Sequence, residues 1–205
     1  MAIEAVVFDL GRVLLHWDPE AFYDREIGEA QRRALFAEVP LYEVNEQIDR
    51  GAPFRDSIYE LAEAHPNHAT AIRFWHDRWL EIASPGIDGS AVLLRALRAQ
   101  GVPVYALTNF GAGPLAVAER AYPVLKEFDL RFVSGELGIL KPEPEIFQVL
   151  EEQTGHPGDS LIFVDDKPEN IDAAAARGWR THLFEHAEGW AEALVAEGLL
   201  PENPL

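Results

Sequence analysis

Residues 5–9 read Ala-Val-Val-Phe-Asp, a short apolar run that ends in an acid. A run that is hydrophobic on both faces is typical of a strand buried on both sides of a parallel sheet. Four later runs have the same character, the last of them more weakly: 102–107, 130–133, 161–164 and 179–184. Helical patterns separate these runs from residue 89 onward. The sequence therefore predicts an α/β fold, a doubly wound parallel sheet with right-handed crossovers.

The stretch from residue 16 to residue 84 interrupts this alternation and contains no convincing strand. Capping and proline signals place helices in it instead, because Asp18-Pro19 is typical of an N-cap and first turn, and Pro53 marks the start of a second helix. We therefore predict an α/β core over residues 1–15 and 85–205. Residues 16–84 are predicted to form a small helical cap, inserted between the first and second strands.

A third helix of this insert is predicted to begin at Asn67 and to run through Trp75 and Trp79. The two tryptophans are four residues apart and share one helical face. Aromatic stripes at this spacing more often belong to a hydrophobic core than to the wall of a binding pocket, so core packing is the expectation.

Acidic residues outnumber basic residues by 35 to 17, and the formal net charge is -18. This charge repels nucleic acids and anionic membrane surfaces, so neither is expected as a partner. The chain has no cysteine, which excludes disulfides and thiolate metal sites. The N-terminal residues lack the basic opening of a secretory signal, and no apolar run approaches the roughly 20 residues of a membrane span. We predict a cytoplasmic protein that acts on a small molecule.

Polar residues directly follow three of the predicted strands. They are Asp9 after the first strand, Thr108 and Asn109 after the second, and Asp165 and Asp166 after the fourth. Because the carboxyl ends of parallel strands meet at one edge of a sheet, ligands bind in the crevice beyond that edge. Lys141 lies in a loop that leads into a helix, and we expect it to reach the same edge.

These residue types suit the transfer of a phosphoryl group. A carboxylate such as Asp9 is a competent nucleophile when its approach is fixed and water is excluded. Its clustering with Asp165 and Asp166 would be repulsive without a divalent cation, and oxygen ligands favour Mg²⁺. The ammonium of Lys141 and the hydroxyl and amide of Thr108-Asn109 would stabilise the oxygens of the transferring group.

Four stretches resemble the motifs of the haloacid dehalogenase superfamily of hydrolases in order and spacing: VVFDLGRVL (6–14), VYALTNF (104–110), GILKPEPEIF (138–147) and LIFVDDKPEN (161–170). The resemblance covers most of the chain, and the helical insert lies where that family has its small cap. It implies a Rossmann-like core, with Asp9 as the nucleophile and Thr108 and Lys141 as catalytic groups. The Mg²⁺ ligands that it implies are Asp9, the backbone carbonyl of Gly11, Asp165 and Asp166.

Within that superfamily the chain is most similar to the sugar-phosphatase branch that includes alpha-D-glucose-1-phosphate phosphatase. The resemblance implies a Mg²⁺-dependent phosphomonoester hydrolase that forms an aspartyl-phosphate intermediate on a small phosphorylated metabolite such as a sugar phosphate. Asn109 and Arg12 are the candidate substrate-binding residues, although pairing with surface acids is an equal alternative for Arg12. Asn170 either braces the metal loop or caps the next helix. Both a monomer and a homodimer are compatible with the sequence.

One position departs from the pattern of the family. Most phosphatases of the family have a general acid–base aspartate two residues after the nucleophile, and this chain has Gly11 there. General acid catalysis contributes roughly 10² to 10⁴-fold, so its loss predicts a preference for good leaving groups, such as sugar 1-phosphates over sugar 6-phosphates. A water molecule, His16 or Arg12 are the open alternatives for the missing acid.

Two other functions compete with the phosphatase interpretation. A 2-haloacid dehalogenase uses the same aspartate without a metal or a general acid, which is compatible with Gly11. The paired acids Asp165 and Asp166 favour a cation and oppose that alternative. The second competitor is a non-catalytic binding protein on the same fold, because a fold alone never establishes activity.

Overall fold

The computed structural model describes residues 2–205 and contains one parallel sheet. Its strands are β1 (Ala5–Phe8), β2 (Val104–Thr108), β3 (Leu130–Val133), β4 (Leu161–Asp165) and β5 (Arg180–Leu183). The spatial order is β3-β2-β1-β4-β5, and each neighbouring pair is parallel. The chain winds outward from β1 in one direction and then returns to build the other half, so the doubly wound sheet is confirmed. The order reverses beside β1, where such sheets bind ligands.

Among residues 2–205, six α-helices lie in the stretch 16–84, and six more flank the sheet. The first group is α1 (Pro19–Ile27), α2 (Glu29–Glu38), α3 (Leu41–Asp49), α4 (Phe54–Ala64), α5 (Ala69–Asp77) and α6 (Trp79–Ile82). The second group is α7 (Asp88–Ala99), α8 (Ala112–Ala121), α9 (Ser134–Leu137), α10 (Pro144–Thr154), α11 (Pro168–Ala176) and α12 (Ala187–Ala196). Residues 16–84 are all described and contain no strand, as expected. None of the described helices has the length and apolar character needed to span a membrane.

The helix signals of the insert are partly confirmed. The Asp18 side chain accepts a hydrogen bond of 2.9 Å from the Ala21 amide, which makes it the N-cap of α1. The predicted helix from Asn67 through Trp79 is wrong in two respects. A 3₁₀ turn occupies Pro66–His68. The backbone leaves the helical conformation at Arg78, so α5 ends at Asp77 and α6 begins at Trp79; the Arg78 guanidinium pairs with Glu26 and Glu81.

Alternate residues of β1 face two hydrophobic clusters, since successive side chains of a strand point to opposite sides of the sheet. Val6 and Phe8 join the larger cluster, whereas Ala5 and Val7 join the smaller one. The larger cluster also contains most of the buried apolar residues of the helical insert. The hydrophobic core of the insert is therefore continuous with the core on one side of the sheet.

Trp75 and Trp79 both belong to this larger cluster, with ring centroids 6.4 Å apart. The Trp75 indole N–H donates to the Asn45 side-chain oxygen at 3.0 Å, which satisfies its buried polar group. The expectation of core packing agrees with these contacts. Trp79 also lines the cavity described below.

Candidate active site

The carboxyl ends of β1, β2 and β4 bring the predicted polar residues together. Asp9 follows β1 directly, and its amide donates to the Val164 carbonyl of the neighbouring strand at 2.9 Å. Thr108 and Asp165 are the last residues of β2 and β4. Adjacent parallel strands end at the same edge, so these side chains meet although they are far apart in sequence.

The ammonium group of Lys141 lies at the centre of the site. Its Nζ is 2.9 Å from Asp9 Oδ1 and 2.6 Å from Asp165 Oδ2. It also donates to the Leu107 carbonyl at 2.7 Å. The side chains of Lys141, Asp9 and Asp165 are 1%, 10% and 0% exposed. A buried ammonium group requires this many oxygen partners, because burial of an unpaired charge is costly.

Burial and mutual charge shift the ionisation of this cluster. Burial acts to lower the pKa of Lys141, but the carboxylates of Asp165 and Asp9 outweigh it and hold that pKa above its ordinary value. Burial raises the pKa of Asp9 to about 6, against the opposing attraction of Lys141. Burial, followed by repulsion from Asp165, also raises the pKa of Asp166. Burial and the neighbouring carboxylates therefore both oppose the loss of a proton from Asp9 and from Asp166.

Three carboxylates of the cluster are spaced to hold a metal ion. Asp9, Asp165 and Asp166 each offer an oxygen, and these oxygens all lie within 4.8 Å of one another. Three carboxylates and one ammonium group leave two negative charges when all are ionised, which a divalent cation would neutralise. Gly11 lines the same cavity as Asp9 and Asp166. Carboxylate and carbonyl oxygens are the ligands that Mg²⁺ prefers, so the donor set fits this ion.

Thr108 and Asn109 differ in their hydrogen-bond partners within the site. The Thr108 hydroxyl is buried and has no hydrogen-bond partner among residues 2–205, so it is available to a ligand. The Asn109 amide, in contrast, is engaged twice with the Lys141 backbone, to which it donates at 2.8 Å and from which it accepts at 2.8 Å. These two bonds hold the Lys141 loop in place. Asn109 also lines the cavity, and its contact with a substrate stays a prediction.

The contacts of Arg12 fit both roles that the sequence leaves open, which are binding of the substrate and pairing with an acid. Its Nη1 lies 3.6 Å from Asp166 Oδ2, and its side chain is 55% exposed. Its Nε donates to the Trp17 carbonyl at 3.1 Å. Arg12 lines the cavity as well, so it can reach an anion bound there.

Asn170 braces the acid that ends β4. Its side-chain nitrogen donates to both carboxylate oxygens of Asp165, at 2.9 and 3.0 Å, and the residue is buried. The N-cap position of α11 belongs to Lys167. Of the two roles considered for Asn170, these contacts favour bracing.

Sequence reasoning missed Asp49, the last residue of α3. The Gly111 amide donates to its Oδ1 at 2.8 Å, and the Asn45 side-chain nitrogen donates to its Oδ2 at 2.9 Å. The Ser134 hydroxyl donates to its backbone carbonyl at 2.6 Å. Burial raises the pKa of the Asp49 carboxyl group to about 7, although the Gly111 hydrogen bond opposes this shift. An acid within the helical insert gives no sequence signal for these contacts, which depend on packing.

A cavity of about 550 Å³ joins the insert to the edge of the sheet. The sheet side contributes the charged groups described above. The insert contributes aromatic, amide and charged side chains to the wall: Trp17, Tyr42, Asn45, Glu46, Asp49, Arg50 and Trp79. The nucleophile candidate thus lies at the base of a space that suits a small molecule.

Replacement of Asp49 by asparagine is expected to stabilise the protein more at pH 8 than at pH 5. The folded-state pKa of about 7 lies above the ordinary value of 3.8, so the folded protein keeps a proton that the unfolded chain has released. The contribution of Asp49 to wild-type stability therefore falls as pH rises through this window, whereas asparagine cannot ionise. The difference in the free energy of unfolding between Asp49→Asn and the wild type should be larger at pH 8 than at pH 5 by about 2 kcal/mol.

Urea denaturation at the two pH values measures this difference. The matched control is Asp56→Asn on the exposed surface of α4, for which the difference should stay nearly constant. A constant difference for Asp49→Asn as well would mean that its carboxyl group ionises normally in the folded protein.

Comparison with known proteins gives consistent matches. Residues 3–178 match the family model described as a hydrolase, haloacid dehalogenase-like hydrolase. The sesquiterpene phosphatase astK of Aspergillus oryzae is 28% identical over 191 residues, covering 85% of this chain and 86% of the relative. The phosphoserine phosphatase of Thermus thermophilus is 28% identical over 228 residues, covering 98% and 84%.

Solved structures match the fold as well. The HAD family enzyme bt-2542 from Bacteroides thetaiotaomicron has a TM-score of 0.73 at 25% identity, covering 95% of this chain and 99% of that one. Another crystal structure of that enzyme is a complex with magnesium and inorganic phosphate.

Proposed function

The chain belongs to the haloacid dehalogenase-like hydrolase family and is a hydrolase, and from that premise we propose that it hydrolyses phosphate monoesters in a Mg²⁺-dependent reaction. The observation that carries the proposal is the buried Lys141 ammonium group between Asp9 and Asp165, with Asp166 close by. One point of the structure thereby combines a nucleophile, a fixed positive charge and a site for a divalent cation. Phosphoryl transfer requires these three elements.

Asp9 is the nucleophile in this proposal. Its free carboxylate oxygen attacks phosphorus, the bond from phosphorus to the leaving oxygen breaks, and an aspartyl-phosphate intermediate forms. Lys141 and the unpartnered hydroxyl of Thr108 donate to the phosphoryl oxygens. Mg²⁺, held by Asp9, the Gly11 carbonyl, Asp165 and Asp166, would supply compensation for the negative charge of the phosphate.

Residues 16–84 act as a cap in this proposal, and residues 1–15 and 85–205 form the catalytic core. The cap supplies the aromatic and amide wall of the cavity, so it selects the substrate. A cavity of about 550 Å³ suits a small phosphorylated metabolite, such as a sugar phosphate. The phosphatase names of two relatives, and the magnesium and phosphate bound to the Bacteroides enzyme, support this class of substrate.

The test is a panel of phosphate esters that includes sugar 1-phosphates and sugar 6-phosphates, assayed with Mg²⁺ and with excess chelator. Phosphate release that requires Mg²⁺ is the expected result. Chloroacetate and fluoroacetate serve as halide-releasing controls. Release of halide without a metal, together with no release of phosphate, would replace the proposal by the dehalogenase alternative.

The dehalogenase and the binding protein are less well supported than the phosphatase. Asp165 and Asp166 place two acids beside Asp9, an excess of negative charge that the metal-free displacement of halide does not need. The buried pair of Lys141 and Asp9 lies in the cavity, where clusters of titratable groups with shifted pKa values are typical of catalytic sites. A binding protein would show no turnover with any ester of the panel.

Replacement of Asn170 by alanine is expected to weaken Mg²⁺ binding by about 10- to 100-fold, the usual effect of removing a group that orients a metal ligand. The reason is that Asn170 donates to both oxygens of Asp165 and so fixes its orientation. The measurement is the Mg²⁺ concentration that gives half-maximal phosphatase activity. Asn67→Ala, at an exposed position in the insert, is the control. An unchanged half-maximal concentration would contradict the bracing role.

A further inference from the structure

The leaving oxygen of a phosphate ester needs a proton, and the groups close to the nucleophile do not provide one. Gly11 has no side chain, and a Cβ built there would meet no atom within 4 Å. Arg12 stays protonated in proteins and so cannot cycle as an acid and base. His16 is exposed and lies outside the cavity wall. Lys141 is held between two carboxylates.

Three acids of the cavity wall remain after the nucleophile and the proposed metal ligands are set aside: Glu46, Asp49 and Glu143. Glu46 and Glu143 both pair with Arg50, and their side chains are 62% and 39% exposed. Among residues 2–205 no cationic group lies within 4 Å of the Asp49 carboxylate, which is partly buried. We propose that Asp49 is the general acid and base of this site, an inference that rests on the proposed phosphatase function.

Two hydrogen bonds hold the Asp49 carboxyl group at the cavity. The Gly111 amide that donates to its Oδ1 belongs to the loop that follows Thr108 and β2, so the acid is attached to the catalytic edge itself. Asn45 donates to its Oδ2, and the Trp75 indole fixes the orientation of the Asn45 amide by donating to the amide oxygen. The acid is thus oriented by the core of the cap on one side and by the sheet edge on the other.

The surroundings of Asp49 suit proton transfer near neutral pH. Burial is the main cause that raises its pKa to about 7, and a catalytic acid works best when its pKa lies near the operating pH. The charged groups that act on it are Glu46 from its own helix, Asp9 from the end of β1 and Lys167 at the start of α11. Lys167 favours the ionised form, whereas Glu46 and Asp9 favour the protonated form.

The proton cycle balances over two steps. Asp9 forms a bond to phosphorus while the bond to the leaving oxygen breaks, and that oxygen keeps the electron pair and takes the proton of Asp49, leaving as an alcohol. Asp49, now a carboxylate, accepts a proton from a water molecule whose oxygen attacks the same phosphorus. The bond between Asp9 and phosphorus breaks, Asp9 leaves as a carboxylate, and phosphate is released with Asp49 protonated again.

The test uses 4-nitrophenyl phosphate and 4-nitrobenzyl phosphate, which differ by one methylene group but have a good and a poor leaving group. The parameter compared is kcat/KM, because it reports the steps up to departure of the leaving group. In Asp49→Asn, kcat/KM should fall roughly 10² to 10⁴-fold for the benzyl ester and stay within about 3-fold for the phenyl ester. For the benzyl ester, wild-type kcat/KM should decline as pH rises above about 7, and the variant should lack this decline.

A role in docking the cap onto the sheet gives a different pattern. Ser134→Ala removes the hydrogen bond to the Asp49 backbone carbonyl and the one that Ser134 accepts from the Phe110 amide, and it leaves the Asp49 carboxyl group in place. If docking were the role, Asp49→Asn and Ser134→Ala would lower kcat/KM for both esters equally. Asp56→Asn is the control that should change neither ester.

Two results overturn the inference. One is an equal effect of Asp49→Asn on both esters. The other is a wild-type enzyme that hydrolyses only the phenyl ester. That result is expected if no residue replaces the acid that is missing at Gly11. A failure of the proposed function itself is distinguishable, because the wild type would then hydrolyse neither ester, or Asp9→Asn would hydrolyse both at the wild-type rate.

Discussion

Asp9→Asn is expected to lower phosphate-ester hydrolysis by about 10⁴- to 10⁶-fold, the range produced by removing a catalytic nucleophile or its essential partner. Asparagine has the shape of aspartate but lacks the carboxylate oxygen that attacks phosphorus. The substitution also removes one negative charge from a cluster in which Lys141 faces both Asp9 and Asp165. We therefore expect the variant to fold and to be at least as resistant to urea as the wild type.

Initial rates with 4-nitrophenyl phosphate at saturating Mg²⁺ measure this effect, and urea denaturation checks the fold. Asp56→Asn, the same change at an exposed site, should retain full activity. Retention of more than a few per cent of the activity by a folded Asp9→Asn enzyme would exclude Asp9 as the nucleophile.

Lys141→Met is expected to destabilise the protein by about 3–5 kcal/mol in the absence of Mg²⁺, because removing one partner of a buried ion pair leaves an uncompensated buried charge. Two carboxylates lose their partner here, since Lys141 contacts both Asp9 and Asp165. Methionine fills much of the same space, so the loss reports charge more than volume. We expect hydrolysis to be abolished as well, because the phosphoryl oxygens lose their ammonium donor.

Urea denaturation measures the change in stability. Lys126→Met is the matched control, because that lysine is 56% exposed and its Nζ is 3.8 Å from Glu119; such surface pairs contribute about 1 kcal/mol or less. Adding Asp165→Asn to Lys141→Met should restore part of the lost stability, since it removes one of the two unpaired charges. Equal effects of Lys141→Met and Lys126→Met would show that the buried cluster is not held together by charge.

The placement of the candidate site residues could be predicted from local sequence. Asp9, Thr108 and Asp165 each lie at or next to the end of an apolar run, and the ends of parallel strands necessarily share an edge. The run at residues 179–184 also predicts β5, which spans the shorter range Arg180–Leu183. In the helical insert the prediction is weaker, because local periodicity does not reveal that the chain leaves the helical conformation at Arg78, whose guanidinium pairs with the local Glu81 and with the distant Glu26.

The sequence by itself determined the alternation of strands and helices, the insertion after β1, and the four loops that carry the charged groups. These features follow from hydrophobic periodicity and from which residue comes next in the chain, both of which are local. Only the tertiary structure decided that Asn109 clamps the Lys141 backbone and that Asp49 reaches the Gly111 amide 62 residues away. The physical reason is that such contacts depend on how α3 packs against the loop after β2. The Asp49 side chain becomes buried, and its pKa shifts, only when that packing is complete.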